Sequence, residues 1–316
     1  MKKKRKVVLV GTGFVGMSFA YSMLINGDID ELVLIDLNKE KAIGEAMDLQ
    51  HGMPYAHNII KVKAGGYEEC KDADIVVITA GATQKPEETR LDLTITDTKI
   101  VKSCTTEIME SGFDGIIVVA TNPVDIMTYV VQKVSGLPKH RVIGSGTLLD
   151  TARLRFMLGE YLSVSTNNVH AYIMGEHGDS SFVPWDHAYI GSKKLLDVIK
   201  GRNLDVSNLE KIYVDVQQAG YEIVNRKKST YYGIGLSLNR LVHAILKDEH
   251  VILTVSVYQD GQYGYKGIYN GVPALITREG VQEVLELELN DEDSKKFIDS
   301  CRTLEDIINN MVNPLL

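Results

Sequence analysis

The sequence has few cysteines, no long apolar run and no excess of positive charge, and each absence excludes a class of protein. Cys70, Cys104 and Cys301 are odd in number and far apart, which argues against a disulfide framework and predicts small core residues in a reducing compartment. No apolar stretch approaches the roughly 18 residues needed to cross a bilayer, so we expect a cytoplasmic protein without membrane contact. A net charge of −8 disfavours non-specific binding to nucleic acid.

One short basic run departs from this acidity. Residues 2–6 have the sequence KKKRK, a pentamer of the kind that nuclear import receptors and polyanions recognise. The apolar run 7–10 follows at once, so the interpretation we favour is a solvated lead-in to the first strand. No apolar stretch with a small-residue cleavage site follows these lysines, so we expect no secretory signal.

Short apolar runs alternate with helix-period segments through the first half of the chain. Segments such as 39–50 and 91–110 are amphipathic and predict helices between the strands. Continuous apolar strands separated by helices indicate an α/β fold with a doubly wound parallel sheet, and ligands of such sheets bind beyond the carboxyl ends of the strands. The predicted strands are residues 7–10, 31–35, 59–62, 75–79, 115–120 and 142–143.

After about residue 147 the pattern changes to longer helices and alternating strands. We predict a mixed α+β domain over residues 147–316, packed closely on the first because no low-complexity linker separates the two. In the last helix, apolar residues recur every three or four positions, which predicts a core stripe. The predicted elements are helices at 147–162, 209–225, 232–247 and 291–311 and strands at 169–174, 251–257, 264–270 and 272–277.

A glycine-rich turn follows the first predicted strand and opens a helix. Gly11, Gly13 and Gly16 form the pattern GxGxxG. The first glycine allows a tight turn, the second lets the backbone approach a pyrophosphate, and the third lets helix and strand pack closely. Free N–H groups and the positive dipole end of the helix favour that anion. The pattern alone is weak, because methyltransferases also have glycine-rich turns.

Asp36 ends the second predicted strand, about twenty residues beyond these glycines. An acid at this place accepts hydrogen bonds from the adenosine ribose hydroxyls and repels the additional phosphate of NADP. The alternative is that Asp36 caps the helix starting near Asn38. Strand, glycine turn and acid together predict a Rossmann domain over residues 1–146 with NAD as its cofactor.

A nicotinamide enzyme needs a group that exchanges a proton with its substrate, and histidine has a suitable pKa. None of the eight histidines forms a convincing metal-ligand pair, and we predict no metal site. His177 lies among small and polar residues in GEHGDS, after an apolar strand, and is the candidate. An exposed loop histidine is the alternative.

A second cluster of charges lies on the predicted helix 147–162. Asp150 and Arg153 are three residues apart and share a helix face, whereas Arg155 points elsewhere. A carboxylate can orient a histidine, and a guanidinium can bind a substrate carboxylate through two parallel hydrogen bonds. From the spacing alone, an ordinary ion pair on the helix surface is the preferred interpretation.

Six motifs occur in an order that resembles one family. GTGFVG, TAGATQKPEETRLDL, TNPVD, LDTARLRF, GEHGDSS and STYYGIG span almost the whole chain, and their combination is similar to the lactate/malate dehydrogenase family. The resemblance implies an NAD-dependent enzyme and a homotetramer. It also implies that the cofactor contacts Phe14, Val15, Thr79, Ala80, Gly81 and Asn122, in addition to the glycines and Asp36.

The same resemblance implies roles in catalysis. His177 matches the acid/base histidine, Asp150 the carboxylate that orients it, and Arg153 the group that binds the substrate carboxylate. The pair of His177 with Asp150 would stabilise the imidazolium, so pyruvate is expected to bind best when His177 is protonated. The other matches are Asn122 beside the reacting oxygen, Arg90 on a closing loop that polarises the carbonyl, and Thr230 in the side-chain pocket.

The loop position of Gln84 distinguishes the substrates. Malate enzymes have an arginine there, because the second carboxylate of oxaloacetate needs a partner, whereas Gln84 has no charge. The resemblance therefore favours reduction of pyruvate to L-lactate. Two positions depart from the family pattern. Glu87 stands where glycine is usual, and we expect it to slow loop opening. Lys228-Ser229 replace the usual residues before Thr230, which changes the pocket wall but keeps the threonine.

Arg155 and His187 match positions that form a phosphate site in relatives activated by fructose 1,6-bisphosphate. We therefore expect activation by this sugar bisphosphate, with a surface salt bridge as the alternative. Two other functions stay open: a malate-type or other 2-hydroxyacid dehydrogenase, and a catalytically idle NAD-binding sensor that needs only the glycine turn and Asp36.

Overall fold

The computed structural model describes residues 4–82 and 90–316. In this part of the chain the strands are β1 (Lys6–Val10), β2 (Glu31–Ile35), β3 (Lys61–Ala64), β4 (Ile75–Ile78), β5 (Ile116–Val119), β6 (Val142–Gly144), β7 (Val169–His170), β8 (Tyr189–Ile190), β9 (Lys193–Lys194), β10 (Val251–Asp260), β11 (Lys266–Thr277) and β12 (Gly280–Val284). The helices are α1 (Phe14–Asn26), α2 (Lys39–Gly52), α3 (Arg90–Glu110), α4 (Val124–Ser135), α5 (Leu148–Leu162), α6 (Leu195–Gly201), α7 (Asn208–Lys227), α8 (Tyr232–Lys247) and α9 (Asp291–Ile307).

One large sheet in the described residues has the strand order β12-β11-β10-β6-β5-β4-β1-β2-β3. β1 to β6 are all parallel, and the runs KVVLV, ELVLI, IVVI and IIVV are buried along their whole length, as strands covered on both faces require. The order reverses between β1 and β4, which places a crevice at the carboxyl ends of these two strands. The predicted doubly wound fold is confirmed.

β10, β11 and β12 extend this sheet antiparallel from the edge of β6. The large core consequently contains residues from both halves of the chain, for example Val8 and Ile117 together with Leu238 and Tyr269. A smaller core lies between α5, α6 and α7, where the leucines of α5 recur every fourth residue. The division at residues 146 and 147 stays a prediction about domain organisation.

Several predicted elements have different bounds in the structure. The strand predicted at 169–174 is shorter in the structure, where β7 contains only its first two residues. Met174 forms an isolated bridge with Phe182. The two strands predicted at 264–270 and 272–277 are one strand, β11, which continues through Gly271. The last helix changes to a π-helical turn at Ile308–Val312. For the strands, long-range pairing, which local periodicity does not contain, decides the outcome.

The apolar stripe of the last helix is in the core, as predicted. Phe297, Cys301, Leu304 and Ile308 are buried, and Met311 is partly buried against them. All three cysteines are buried and free, which confirms the prediction that they are small core residues. Among the helices of the described part, none is both long and apolar enough to cross a membrane.

Lys6 does not belong to a solvated lead-in, which corrects the interpretation of the basic run. Its side chain is 7% exposed, and Nζ lies 2.9 Å from Glu69 and 2.5 Å from Asp72. Lys63 extends this network by pairing with both Glu31 and Glu69. The ion pairs fix the amino end of β1 beside its neighbouring strands. Residues 2 and 3 of the run lie outside the described residues.

Candidate active site

The turn after β1 requires glycine at two positions because the backbone is closely packed there. Gly11 has a φ of +101°, and a Cβ on it would lie 2.6 Å from the amide nitrogen of Ala80. A Cβ on Gly16 would overlap the carbonyl oxygen of Gly11 and approach the Thr79 hydroxyl. That hydroxyl donates a hydrogen bond of 2.8 Å to the same carbonyl. These contacts join α1 to the carboxyl ends of β1 and β4.

Gly13 differs from these two glycines because open space surrounds it. It is the N-cap of α1, and a Cβ on it would meet no atom within 4 Å. The unpaired N–H groups and the positive dipole end of a 13-residue helix therefore face an accessible hollow. Such a helix end favours an anionic group such as a pyrophosphate, since the backbone is accessible and carries the complementary partial charge.

Asp36 lies at the end of β2 and holds the glycine turn in place. Its Oδ2 accepts hydrogen bonds from the backbone N–H (2.8 Å) and the hydroxyl (2.7 Å) of Thr12. Burial raises the pKa of this carboxyl, but the bonds from Thr12 and from the amide of Asn38 lower it below its usual range. The carboxylate is therefore charged at neutral pH. Asn38, whose side chain accepts from the Lys41 amide, is the residue that caps α2, so the alternative cap role of Asp36 is wrong.

The carboxyl ends of β4 and β5 form the opposite wall of the crevice. The Thr121 hydroxyl donates to the carbonyl of Ala80 at 2.7 Å, and a Cβ on Gly81 would lie 2.9 Å from the Thr121 methyl group. Asn122 follows as an exposed residue in the turn to α4. The predicted residues Ala80, Gly81 and Asn122 therefore lie at the carboxyl ends of β4 and β5, beside the reversal of strand order.

An aromatic contact joins this crevice to the predicted substrate pocket. Phe14, at the start of α1, is 71% exposed, and its ring stacks on Tyr231 with centroids 5.2 Å apart. Val15 is half-buried beside it. Thr230 directly precedes Tyr231 and is partly buried. The structure thus places Thr230 at the amino end of α8, next to the helix that begins at the glycine turn.

The clearest chemical constellation is formed by α5 and the loop around His177. Nδ1 of His177 lies 2.6 Å from Oδ2 of Asp150, while Nη1 of Arg153 donates to Oδ1 of the same carboxylate at 3.0 Å. The side chains of Asp150 and Arg153 are only 12% and 15% exposed. The pair is consequently not the solvated surface ion pair that the spacing alone favours. With Nδ1 engaged, Nε2 is the ring nitrogen left for proton exchange.

The electrostatics of this constellation favour an imidazolium. Burial lowers the pKa of His177, but the charge and hydrogen bond of Asp150 and the charge of Asp125 outweigh both burial and the repulsion by Arg153 and raise it to about 8. For Asp150, burial raises the pKa, and the charges of His177 and Arg153 lower it below its usual range. The arrangement can therefore hold a proton at neutral pH and deliver it from a shielded position.

Other predicted residues lie apart from this constellation or outside the described part of the chain. Arg155 extends from α5 to donate from Nε to the Ala171 carbonyl at 3.1 Å, so it points away from Asp150 as predicted. His187 contacts the Glu288 carbonyl through Nε2 at 2.8 Å. Arg90 is the first residue of α3. Gln84 and Glu87 lie outside the described residues, and the predictions about them stay predictions.

Thr12 and Asp125 also lie in the site, and neither is among the predicted site residues, although they lie within the motifs GTGFVG and TNPVD. Thr12 occupies a variable position of the glycine pattern, where sequence gives no signal. Asp125 is the one charged residue in the largely apolar helical segment VDIMTYVV, and an acid in such a segment indicates a buried carboxylate that has partners. It accepts a hydrogen bond of 2.8 Å from the backbone N–H of His177.

Comparisons with known proteins agree with this geometry over nearly the whole chain. Residues 5–144 match the family model described as lactate/malate dehydrogenase, NAD binding domain, and residues 147–314 match its alpha/beta C-terminal domain. L-lactate dehydrogenase 2 of Bacillus anthracis is 56% identical over 308 residues, 97% of this chain and 98% of that protein. L-lactate dehydrogenase 1 of the same organism is 54% identical with the same coverage.

Solved structures give the same result. A lactate dehydrogenase from a Medee basin deep-sea metagenome library has a TM-score of 0.96 at 48% identity, covering 98% of this chain and 99% of that one. The minor L-lactate dehydrogenase of Enterococcus mundtii in its ligand-bound form has a TM-score of 0.96 at 47% identity, covering 98% of each chain. The resemblance inferred from six sequence motifs is confirmed, and the chain belongs to the lactate/malate dehydrogenase family of NAD-dependent oxidoreductases.

Proposed function

We propose that this protein is an L-lactate dehydrogenase that reversibly reduces pyruvate to L-lactate with NADH. The observation that carries the proposal is the shielded constellation in which one carboxylate, Asp150, binds both His177 and Arg153. It combines a proton donor with a cation for the substrate carboxylate. The names of the relatives at 54–56% identity support the choice of substrate.

His177 is proposed to exchange the proton. Asp150 fixes the ring through Nδ1, and Nε2 then donates to the pyruvate oxygen during reduction and accepts the proton back during lactate oxidation. Because the pKa of His177 is about 8, the protonated form that pyruvate needs predominates at neutral pH. Asn122, in the turn after β5, is proposed to donate a hydrogen bond to the same oxygen.

Arg153 is proposed to bind the pyruvate carboxylate. Arg153 donates to Asp150 through Nη1 only. Because a guanidinium has five N–H donors, the others are left for a planar pair of hydrogen bonds to a carboxylate. Partial burial strengthens this interaction relative to water. Arg90 and Gln84 are proposed to complete the site, Arg90 by polarising the carbonyl and Gln84 by leaving the second carboxylate of oxaloacetate without a partner.

The crevice between β1 and β4 is proposed to hold the nicotinamide cofactor. When bound, NADH supplies the hydride for the carbonyl carbon. Gly13 and the amino end of α1 hold the pyrophosphate, and Asp36 accepts from the adenosine ribose. The remaining residues proposed to line the cofactor are Gly11, Phe14, Val15, Gly16, Thr79, Ala80, Gly81 and Asn122.

Two glycine substitutions are expected to have different effects. Gly13→Ala should fold normally, because the new methyl group enters open space, but it should weaken NADH binding by about tenfold by occupying room for the pyrophosphate. Gly16→Ala should lower the free energy of unfolding by about 1–3 kcal/mol, because its methyl group overlaps the Gly11 carbonyl. Fluorescence titration of NADH and denaturant unfolding of the free protein measure the two effects. Equal effects of both substitutions on unfolding would contradict the geometry.

Activation by fructose 1,6-bisphosphate is proposed from the match at Arg155 and His187. A homotetramer is proposed from the family resemblance, and a cytoplasmic location from the composition and the free cysteines. Arg155 is partly buried above the Tyr172 ring at 5.4 Å, and burial lowers its pKa. A buried guanidinium with one carbonyl partner has donors left for a phosphate.

Steady-state rates with pyruvate and with oxaloacetate, each with and without fructose 1,6-bisphosphate, test the function. We expect a higher kcat/KM for pyruvate, and a lower apparent KM for pyruvate when the sugar bisphosphate is added at sub-saturating substrate. A higher kcat/KM for oxaloacetate would identify a malate-type enzyme instead. An apparent KM that the sugar bisphosphate leaves unchanged would refute the regulatory site without affecting the assignment of the substrate.

A further inference from the structure

Three consecutive backbone N–H groups hold the loop of His177, and each donates to a different element of the fold. The anchors of the first two are a neutral carbonyl and a neutral hydroxyl, whereas the third is a carboxylate. In order, the amides are those of Gly175 to the Gly271 carbonyl on β11 at 2.9 Å, Glu176 to the Ser300 hydroxyl on α9 at 2.7 Å, and His177 to Oδ2 of Asp125 on α4 at 2.8 Å.

Asp125 lies in a position that is costly for a charged group. It is 2% exposed, and the Ser256 hydroxyl of β10 donates to its Oδ1 at 2.5 Å. Its two partners are thus a neutral hydroxyl and a neutral amide. An asparagine could satisfy both, with its oxygen accepting from the His177 N–H and its amide group donating to Ser256, and it would avoid the cost of burying a charge. The carboxylate therefore supplies something besides hydrogen bonds.

The opposite charge that faces Asp125 is the imidazolium of His177. We infer that Asp125 is a positioning residue for His177, fixing its backbone through Oδ2 and supplying a second buried negative charge beside the protonated ring. The inference rests on the proposed acid/base role of His177. It adds to the pair with Asp150 a carboxylate from another helix, so that the backbone of His177 is joined to α4 and its ring to α5.

The surrounding charges support this assignment. Asp150 and Arg153 face His177 from α5, while Glu176 and the Cys301 thiol of α9 face Asp125. Burial raises the pKa of Asp125 to about 6, although its bonds from Ser256 and His177 and the charge of His177 lower it. Near the pH at which His177 titrates, about 8, Asp125 is therefore ionised and favours the imidazolium.

The pH dependence of pyruvate reduction by Asp125→Asn tests the inference. In the unmodified protein, kcat/KM for pyruvate with saturating NADH should fall as pH rises through about 8, because His177 loses its proton. Removing the Asp125 charge destabilises the imidazolium, so this fall should move to lower pH by about 0.5–1 unit. At pH 8 the variant should accordingly have a kcat/KM about two- to sixfold lower.

Two controls separate the charge from a structural role. Glu176→Gln removes a neighbouring carboxylate that accepts a hydrogen bond from the Ser180 hydroxyl. In this variant kcat/KM for pyruvate should fall at the same pH as in the unmodified protein. The thermal midpoint of Asp125→Asn should not decrease, because the variant keeps both hydrogen bonds and buries no charge. If it folds poorly, Asp125→Ser, a smaller neutral residue, should give the same displacement of the pH profile.

If kcat/KM for pyruvate fell at the same pH in the folded Asp125 variants as in the unmodified protein, the inference would be overturned. Asp125 would then have only a structural role, whether or not the thermal midpoint decreased. That result differs from failure of the proposed function. In the latter case the unmodified protein would not reduce pyruvate with NADH, and no pH profile would exist to compare.

Discussion

Replacing His177 by asparagine is expected to lower kcat for pyruvate reduction by about 10³-fold, the usual contribution of general acid catalysis. Asparagine can still donate to Asp150 through its amide group but cannot exchange a proton with the substrate oxygen. NADH binding should be unchanged, because the proposed cofactor contacts are the glycine turn and Asp36, and His177 is not among them. The decrease in NADH absorbance measures turnover, and NADH fluorescence measures binding.

His250→Asn is a matched control for this variant. His250 is an exposed histidine with a φ of +53°, a conformation that asparagine tolerates, and it faces Asp248 at 3.4 Å. Its replacement should leave kcat unchanged. If the His177 variant kept its turnover, His177 would lose the acid/base role. If the unmodified protein bound NADH but turned over neither pyruvate nor oxaloacetate, the NAD-binding sensor would become the better assignment.

Much of the fold follows from local patterns. Runs such as those of β1 and β4 are apolar on both faces, so they predict buried parallel strands, and the glycine turn after β1 predicts the crevice. The spacing of three between Asp150 and Arg153 likewise predicts a shared helix face, which the structure has. Each of these features depends on residues that are only a few positions apart in the sequence.

Features that depend on distant contacts are not predictable in the same way. Spacing alone favours a surface pair for Asp150 and Arg153, because nothing local indicates that His177, 27 residues away, lies over the pair. Burial of Lys6 depends on Glu69 and Asp72, which follow more than sixty positions later. Asp125 likewise contacts His177 at a separation of 52 residues. Tertiary packing brings these groups together, and it determines their charge states.

Replacing the guanidinium of Arg153 is expected to lower kcat/KM for pyruvate strongly. Arg153→Lys keeps a positive charge near Asp150 but replaces a planar fork of donors by a point charge, so pyruvate should lose one of the two parallel hydrogen bonds proposed for its carboxylate. Loss of a charged hydrogen bond of about 2–3 kcal/mol corresponds to a kcat/KM for pyruvate roughly 30- to 150-fold lower. The loss should fall mainly on KM, because the carboxylate is bound in the ground state as well as in the transition state.

Steady-state kinetics with NADH at saturation separate this binding role from a role in holding Asp150. If Arg153 binds the carboxylate, KM for pyruvate rises while the pH at which kcat/KM falls stays near 8, because lysine preserves the positive charge beside His177. Arg302→Lys, an exposed exchange on α9 beside Asp299, should leave both quantities unchanged. An unchanged KM with a displaced pH profile would instead mean that Arg153 acts on the Asp150–His177 pair, and another cation would then have to bind the substrate carboxylate.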